Sequence, residues 1–354
     1  MPNNLFPTTV IGSLPRPAWV AEVIEDRKTG RISEPQASIL LDRAIESAIA
    51  LQQRAGLDEI TDGEWRRESY VKVFSERVRG FKADLQDSAG LPYPAVVAPI
   101  EYHRPLALEE LEFIRPRTSG RVKITLPAPY IIGRRMWHPA HSTKAYSSRA
   151  ELMEACVPIL RQEVERLSQA GADTVQLDEP WLSTMVDGSF CQREGIEDPL
   201  YEMDRCVDLV NQVFDGIHGV ATSMHLCHSH FQRRHGTTGS YEPIMPALRN
   251  LHVNTICIEY ATPAAEGINS LAQFPDHVRL GFGCVDHCDR QVETPDQIAT
   301  RVRDAMRFVD KSRITLHPDC GFAPSVQNPM DLDEAYRKLK AMCAGADLLR
   351  NQYG

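Results

Sequence analysis

The sequence predicts an α/β fold in which eight parallel strands and their connecting helices close into a (β/α)8 TIM barrel. Eight short apolar runs alternate with mostly amphipathic helical patterns, which is typical of βαβ units. The length of 354 residues also suits one barrel. A doubly wound open sheet is the alternative, but the first βα turn lacks the Gly-x-Gly-x-x-Gly pattern of nucleotide-binding sheets. We therefore expect residues 1–354 to form a single domain.

Each strand is predicted from an apolar run that ends in polar residues, glycine or proline. In chain order the eight runs are residues 6–15, 58–64, 122–129, 173–180, 219–230, 254–259, 278–286 and 314–320. Helices are predicted where apolar residues recur at helical spacing, over residues 33–56, 149–170, 201–214, 295–309 and 332–349. Gly56 suits the C-terminal cap of the first of these helices.

One segment between the second and third strands does not fit this alternation. Residues 78–117 contain prolines, acidic residues and short apolar runs without a clear period. A long connection without regular structure is usually functional. We expect this segment to be an insertion that leaves the barrel.

Composition narrows the class of protein. The hydrophobic content of 42% and charged content of 25% are typical of a soluble globular protein, and the net charge of -9 argues against nucleic acid or an anionic membrane as a partner. No apolar run approaches the roughly 18 residues that a membrane span needs, and the N-terminus does not resemble a signal peptide. Nine cysteines without a framework spacing favour a reducing compartment, so a cytoplasmic location is expected.

Polar and metal-binding residues follow the predicted strands at their carboxyl ends. In a barrel these ends meet at one face, where active sites lie. A helix cap or an ion pair would explain any one of these residues, but a structural role for all of them together is hard to sustain. They are Ser13, Glu64, Asp178, His225, Cys227, Glu259, Asp286 and Cys320.

Four of these residues form a candidate zinc site. His225 and Cys227 are two positions apart on one predicted strand and therefore point to the same side. Histidine and cysteine are both good zinc ligands. Free cysteines are often simply buried apolar residues. Glu259 closes a neighbouring apolar run, where a carboxylate is rarely buried unless it is paired or ligated. With Cys320 from the eighth strand, the set is one nitrogen, two sulfurs and one oxygen.

This ligand set indicates a reaction class. Two thiolates and a carboxylate leave Zn²⁺ with a net charge of -1, unlike the histidine-rich centres that activate water. Coordination deprotonates a thiol, and the surplus negative charge keeps its sulfur nucleophilic. Glu259 is the hardest ligand and the one that an incoming thiol would displace. The predicted chemistry is alkylation of a zinc-bound thiolate.

Six motifs in order resemble the catalytic barrel of cobalamin-independent methionine synthase. They are residues 9–15 (Thr-Val-Ile-Gly-Ser-Leu-Pro), 62–64 (Asp-Gly-Glu), 176–180 (Gln-Leu-Asp-Glu-Pro), His225-x-Cys227, Ile258-Glu259 and 318–322 (Pro-Asp-Cys-Gly-Phe). The resemblance implies a zinc-dependent methyltransferase that converts homocysteine to methionine. It implies the zinc ligands His225, Cys227, Glu259 and Cys320, and homocysteine recognition by Ile11, Ser13, Glu64 and Asp178. Glu64 and Asp178 suit an ammonium group.

The sequence also departs from the family pattern. The full-length synthase has two barrels, whereas this chain has the catalytic one. The family's proposed acid histidine lies two positions after an aspartate, whereas here His287 follows Asp286 directly, so His287 is either the catalytic acid in a shifted register or a surface residue. The run from His228 to His230 differs from the Arg-Gly-Asn of short relatives. Trp181 is expected to form a wall of the methyl-donor pocket or a lid over the rim.

The expected partners are therefore a small thiol, homocysteine, and a methyl donor whose identity the sequence does not give. Neither nucleic acid nor a membrane is expected, and a homodimer stays open. Two other functions also stay open. One is another thiol alkyltransferase of the same family, such as the epoxyalkane:coenzyme M transferases, or a decarboxylase-like relative. The other is a non-catalytic barrel with a structural zinc.

Overall fold

A seven-stranded parallel sheet forms the centre of the protein. The computed structural model describes residues 5–86, 92–323 and 330–354. Its strands are β1 (Glu59–Ile60), β4 (Arg121–Pro127), β5 (Thr174–Asp178), β6 (Ala221–Leu226), β9 (Thr255–Glu259), β10 (Arg279–Val285) and β11 (Ile314–Pro318). They lie in the order β1-β4-β5-β6-β9-β10-β11, in which every neighbouring pair is parallel. The α/β class and seven of the predicted strands are confirmed.

The sheet curls until both of its edges reach the N-terminal segment. The Thr9 N–H donates to the Leu316 carbonyl (2.9 Å), and the Glu59 N–H donates to the Thr8 carbonyl (3.1 Å). The predicted first strand over residues 6–15 is wrong in extent, because regular pairing there is limited to an isolated bridge between Thr8 and Leu316. Pro7 lacks the N–H that a longer ladder would need. The arrangement is TIM-barrel-like.

Helices surround the sheet. They are α1 (Ala18–Lys28), α2 (Glu34–Ala55), α3 (Lys72–Arg77), α4 (Leu108–Ile114), α5 (Pro129–Met136), α6 (Pro139–Ser142), α7 (Arg149–Gln169), α8 (Pro180–Thr184), α9 (Gly188–Glu194), α10 (Pro199–Phe214), α11 (Met245–Leu248), α12 (Pro295–Ala305) and α13 (Leu332–Tyr353). The five predicted helices are confirmed. A capping box of Ser33 and Gln36 begins α2, and Gly56 ends it in the left-handed conformation (φ 94°).

The predicted insertion 78–117 has regular structure in its described residues, contrary to expectation, while its residues 87–91 lie outside the described part of the chain. Its two strands, β2 (Val78–Gln86) and β3 (Pro92–Tyr102), pair antiparallel with each other, and α4 follows them. The prolines of β3 hide this pattern in the sequence, and they are tolerated because each strand has a free edge. A second small hairpin, β7 (His230–Phe231) with β8 (Arg234–His235), follows β6.

Among the described residues, no helix has the length and apolar composition needed to cross a membrane. All nine cysteines lie within the described ranges and carry free thiols.

Candidate metal and substrate site

Three of the four predicted zinc ligands lie together. His225 is in β6, Cys227 follows that strand by one residue, and Cys320 lies two residues after β11. One ligand atom from each of these three residues lies within 4.8 Å of the other two, and all three side chains are buried. The parallel strands bring together donors that are 93 residues apart in the chain, because their carboxyl ends share one face.

The fourth predicted ligand, Glu259, is held by a neighbouring histidine. Its Oε1 accepts the His228 backbone N–H (3.0 Å) and lies 2.8 Å from His228 Nδ1. Its Oε2 is buried and has no hydrogen-bond partner within the described residues. Burial raises the pKa of Glu259, but its contacts with His228 outweigh this and lower the pKa. Glu259 is thus an anion with one oxygen engaged and one left over.

The thiols of the cluster differ in acidity. A hydrogen bond from Cys320 lowers the pKa of Cys227 to about 6, and His225 adds to this effect against the cost of burial. The same hydrogen bond and burial raise the pKa of Cys320 well above its usual range. Burial by itself would lower the pKa of His225, but Cys227 and Asp178 outweigh burial and raise this pKa well above its usual range. The cluster therefore already favours one thiolate.

A small cavity of about 60 Å³ joins this cluster to the predicted substrate positions. Among the described residues that line it are the three clustered ligands and all four positions expected to recognise homocysteine: Ile11, Ser13, Glu64 and Asp178. Its other lining residues are Tyr70, Pro180, Ser229, His230 and Gly321. Residues from both ends of the chain thus meet in one pocket.

The two carboxylates of the cavity have different surroundings. Glu64 Oε1 accepts the Thr125 hydroxyl (2.8 Å), whereas its buried Oε2 has no partner within the described residues. Burial raises the pKa of Glu64, and the charge of Asp178 adds to this effect while Arg67 opposes it. Asp178 Oδ1 accepts the Gln176 amide (2.7 Å) and lies 3.3 Å from His225 Nδ1. A cationic group in the cavity would relieve the repulsion between the two acids.

Ser13 lies against the last loop of the cavity. Its Oγ accepts the Ala323 N–H (3.2 Å), and its carbonyl accepts the Phe322 N–H (3.0 Å). A Cβ at Gly321 would come within 2.5 Å of Ser13 Oγ. Glycine at position 321 is therefore needed for this close approach.

Four of the predicted site residues do not line the cavity within the described part of the chain: Glu259, Trp181, Asp286 and His287. The Trp181 ring packs on Phe190 (5.0 Å between ring centroids) and under Arg134 (4.5 Å). His287 is 1% exposed and its ring lies 4.0 Å from the ring of His230. The surface interpretation of His287 is therefore wrong, and His287 lies behind a cavity residue. Asp286 Oδ1 accepts the backbone N–H groups of Cys288 (2.7 Å) and Asp289 (3.2 Å).

Sequence reasoning missed the histidines that surround Glu259. His228 is fully buried, and half-buried His235 lies 3.5 Å from Glu259 Oε1. The side chain of Arg134, which lies over Trp181, is buried and donates to the Glu194 carbonyl (2.8 Å). The spacing of His228, His230 and His235 directly after a ligand cysteine was the available signal.

The sequence matches one protein family over nearly its whole length. A sequence model described as "Cobalamin-independent synthase, Catalytic domain" matches residues 6–347. The chain belongs to this family. Methionine synthase of Saccharolobus solfataricus is 28% identical over 98% of this chain and 96% of its own length. Methionine synthase of Thermococcus kodakarensis is 27% identical over 98% of this chain and 94% of its own length.

A solved structure of the same kind agrees in fold. It is a B12-independent methionine synthase from Shewanella sp. W3-18-1 in complex with selenomethionine, with a TM-score of 0.78, 24% identity and coverage of 98% of both chains. As a member of the cobalamin-independent synthase family, the protein is a methyltransferase of the methionine synthase type.

Proposed function

We propose that this methyltransferase transfers a methyl group to the sulfur of homocysteine, and that Zn²⁺ held by His225, Cys227, Cys320 and Glu259 activates that sulfur. The observation that carries the proposal is the shared cavity. One small pocket is lined by the histidine–cysteine cluster and by the carboxylates of Glu64 and Asp178. A thiol that also carries an ammonium group matches both kinds of group.

The donor atoms of the cluster fit a zinc ion. His225 turns Nδ1 toward the Asp178 carboxylate, and its buried Nε2 has no hydrogen-bond partner within the described residues. A histidine oriented by a carboxylate on one nitrogen and open on the other is the usual arrangement of a zinc ligand. Glu259 Oε2 is open in the same way. Bound there, Zn²⁺ would stabilise the deprotonated form of an incoming thiol near neutral pH.

The protein's own residues bind and orient the amino acid. Glu64 Oε2 accepts from the ammonium group, and Asp178 adds negative charge on the same side of the cavity. The Ser13 hydroxyl is placed to donate to the substrate carboxylate, since it accepts only the Ala323 N–H among the described contacts. This fixed geometry points the thiol at the cluster and keeps water out of a buried pocket.

His228 pairs with one of the two carboxylate oxygens of Glu259. Because Oε1 is already paired with His228, Glu259 has only Oε2 for a metal ion. The pairing with His228 would stabilise the Glu259 carboxylate even when it is not a metal ligand, because it would not then be an unpaired buried charge.

The roles expected for Asp286, His287 and Trp181 stay predictions. His287 reaches the cavity through its contact with His230, and Trp181 reaches the rim through Pro180. We also propose that residues 7–9 form a further strand that closes the barrel, since they bond to both sheet edges.

The test compares two thiols in the zinc-loaded protein. Homocysteine and 4-mercaptobutanoate share a thiol and a carboxylate, but the latter lacks the amino group. Isothermal titration should show that the wild type prefers homocysteine, and that Glu64→Gln weakens homocysteine binding by roughly two decades or more, because losing one partner of a buried ion pair costs about 3–5 kcal/mol.

Glu68→Gln is the matched control. Glu68 is four residues from Glu64 and pairs with Lys72 (2.6 Å) away from the cavity, so homocysteine affinity should stay unchanged. If the wild type binds both thiols equally, homocysteine is the wrong substrate and a broader thiol alkyltransferase is indicated. X-ray absorption then reports whether the zinc gains a sulfur ligand from the bound thiol.

A further inference from the structure

A second group of metal-binding side chains lies behind the cavity. One ligand atom each from Asp286, His287 and Asp319 lies within 4.8 Å of the other two. Asp319 is fully buried, His287 is 1% exposed and Asp286 is half-buried. Asp286 and His287 follow β10 and Asp319 follows β11, so two adjacent parallel strands deliver the group to one place.

The hydrogen bonds of this group leave ligand atoms unused. Asp319 Oδ1 accepts the backbone N–H groups of Tyr260 (3.1 Å) and Ala261 (2.9 Å), which fixes the carboxylate. Asp319 Oδ2 and His287 Nδ1 are both buried without a hydrogen-bond partner within the described residues. Unpaired polar atoms are rare in a protein interior, because a buried polar group without a hydrogen bond is destabilising.

Side-chain cations nearby are engaged elsewhere. Lys338 Nζ donates to the Asp286 carbonyl (2.9 Å) and to Glu293 (3.1 Å), not to the Asp286 carboxylate. Arg233 forms a two-pronged pair with Glu334 (2.7 and 2.9 Å). Among the described residues, Lys338 and Arg233 therefore do not pair with the carboxylate of Asp286 or Asp319.

The backbone makes room for the Asp319 carboxylate. A Cβ at Gly283 would lie 2.5 Å from Asp319 Oδ1, so only glycine allows the carboxylate to sit against β10. The pairing of β10 with β11 also shifts register between Gly283 and Val285, just before Asp286. Such an irregularity re-aims side chains at the end of a strand.

We propose that Asp286, His287 and Asp319 bind a second divalent metal ion, separate from the cysteine cluster. Two carboxylate oxygens and one imidazole nitrogen suit a harder ion of the Mn²⁺ or Fe²⁺ class, whereas thiolates suit zinc. The ligands carry two negative charges with a neutral imidazole, which matches a divalent ion. His235 and Cys288 also approach Asp286 within 4.8 Å and offer further donors at the exposed side.

The experiment titrates Mn²⁺ alone into chelator-stripped protein and follows the loss of the free-ion electron paramagnetic resonance signal. Mn²⁺ is chosen because it discriminates against the thiolate cluster. We expect about one Mn²⁺ per chain, both in the wild type and in the Cys227→Ser/Cys320→Ser double variant. The double variant lacks two of the proposed zinc ligands and should not carry out the proposed function. Mn²⁺ that it still binds therefore tests the second site independently of the proposed function.

Asp319→Asn and His287→Gln should each weaken Mn²⁺ binding at least about tenfold, since even an outer partner of a metal site is worth that much. Two variants from different strands guard against one of them failing to fold, which circular dichroism checks. His252→Gln is the control, because His252 is an exposed histidine 3.0 Å from Asp215 on the surface. The proposal is overturned if the wild type binds no Mn²⁺, as when the two aspartates share a proton, or if both ligand variants bind it as well as the wild type.

Discussion

At the residue scale, Cys227 and Cys320 share a hydrogen bond that concentrates negative charge on Cys227. A bound zinc ion would replace the proton between them, so loss of either sulfur removes both a ligand and its partner. Cys227→Ser and Cys320→Ser should each lose most of the zinc. In the Co²⁺-substituted protein, the thiolate-to-metal absorption band should fall with it, which reports on this cluster and not on oxygen-rich sites.

Two other buried cysteines provide the control. Cys156 on α7 and Cys343 on α13 are buried thiols outside the cluster. Cys156→Ser and Cys343→Ser should keep the zinc and the Co²⁺ band. Full metal content in both ligand variants would contradict the assignment of the site.

We predict that the free energy of unfolding depends on pH through the buried carboxyl group of Asp62. Burial raises the pKa of Asp62 from 3.8 to about 7, with Glu110 adding to the rise. A raised carboxyl pKa means that the folded state prefers the protonated acid. The resulting stabilisation is complete below about pH 4 and is lost as pH rises through 7, with an upper limit of about 4 kcal/mol.

The Asp62→Asn variant isolates this contribution. Asp62 Oδ1 accepts the Glu64 N–H (2.8 Å), a contact that asparagine keeps. Urea unfolding of the wild type minus that of Asp62→Asn should show a free-energy difference that falls between pH 4.5 and 7.5. A difference that stays constant over this range would show that Asp62 does not titrate there.

Much of the candidate site could be predicted from single residues. His225, Cys227 and Cys320 were expected together because strand ends converge, and the cavity brings Ser13, Glu64 and Asp178 to the same place. The pairing of Glu259 with His228 and the burial of His287 were not predicted. Both depend on how two loops fold back on the barrel rim, and sequence spacing does not encode such contacts.

At the scale of the elements, the packing of β10 between its neighbouring strands requires glycine at positions 281 and 283. A Cβ at Gly281 would lie 2.6 Å from Cys257 Sγ on β9 and 2.9 Å from His317 Nε2 on β11. Gly281→Ala should therefore destabilise the protein by about 1–3 kcal/mol through overpacking. Gly188→Ala is the control, because a Cβ there meets nothing within 4 Å and the residue begins α9. Urea unfolding measures both, and equal stability of the two variants would show that the strands can part to admit a methyl group.

The elements also show where sequence patterns fail. Strands buried on both faces are continuous apolar runs, which is why seven of them were located correctly. The first strand was overestimated because its apolar residues continue past the single bridge at Thr8. The β2–β3 hairpin was missed because antiparallel pairing outside the main sheet tolerates prolines that argue against a central strand.

At the scale of the whole molecule, charge bears on the methyl donor. The chain has 39 basic and 48 acidic residues. Three arginines that lie before and after β4 are engaged within the protein. Arg115 pairs with Asp173 (2.6 Å), Arg117 pairs with Glu46 (3.2 Å), and buried Arg134 caps the Glu194 carbonyl. A methyl donor with a long anionic tail would therefore meet few uncompensated positive charges among these arginines around β4.

We predict that a methyl donor without such a tail works better than a polyglutamylated methyl-folate. Like charges that are not paired repel at short range, and the chain carries more acidic than basic residues. Methionine formation should be followed with a methylcorrinoid and with triglutamyl methyl-folate at equal concentration, in low and in physiological salt. The corrinoid should be faster, and the folate should improve as salt screens its repulsion. Faster turnover with the folate at low salt would contradict this and would point to the segment 78–117, with its β2–β3 hairpin, as the surface that holds the tail.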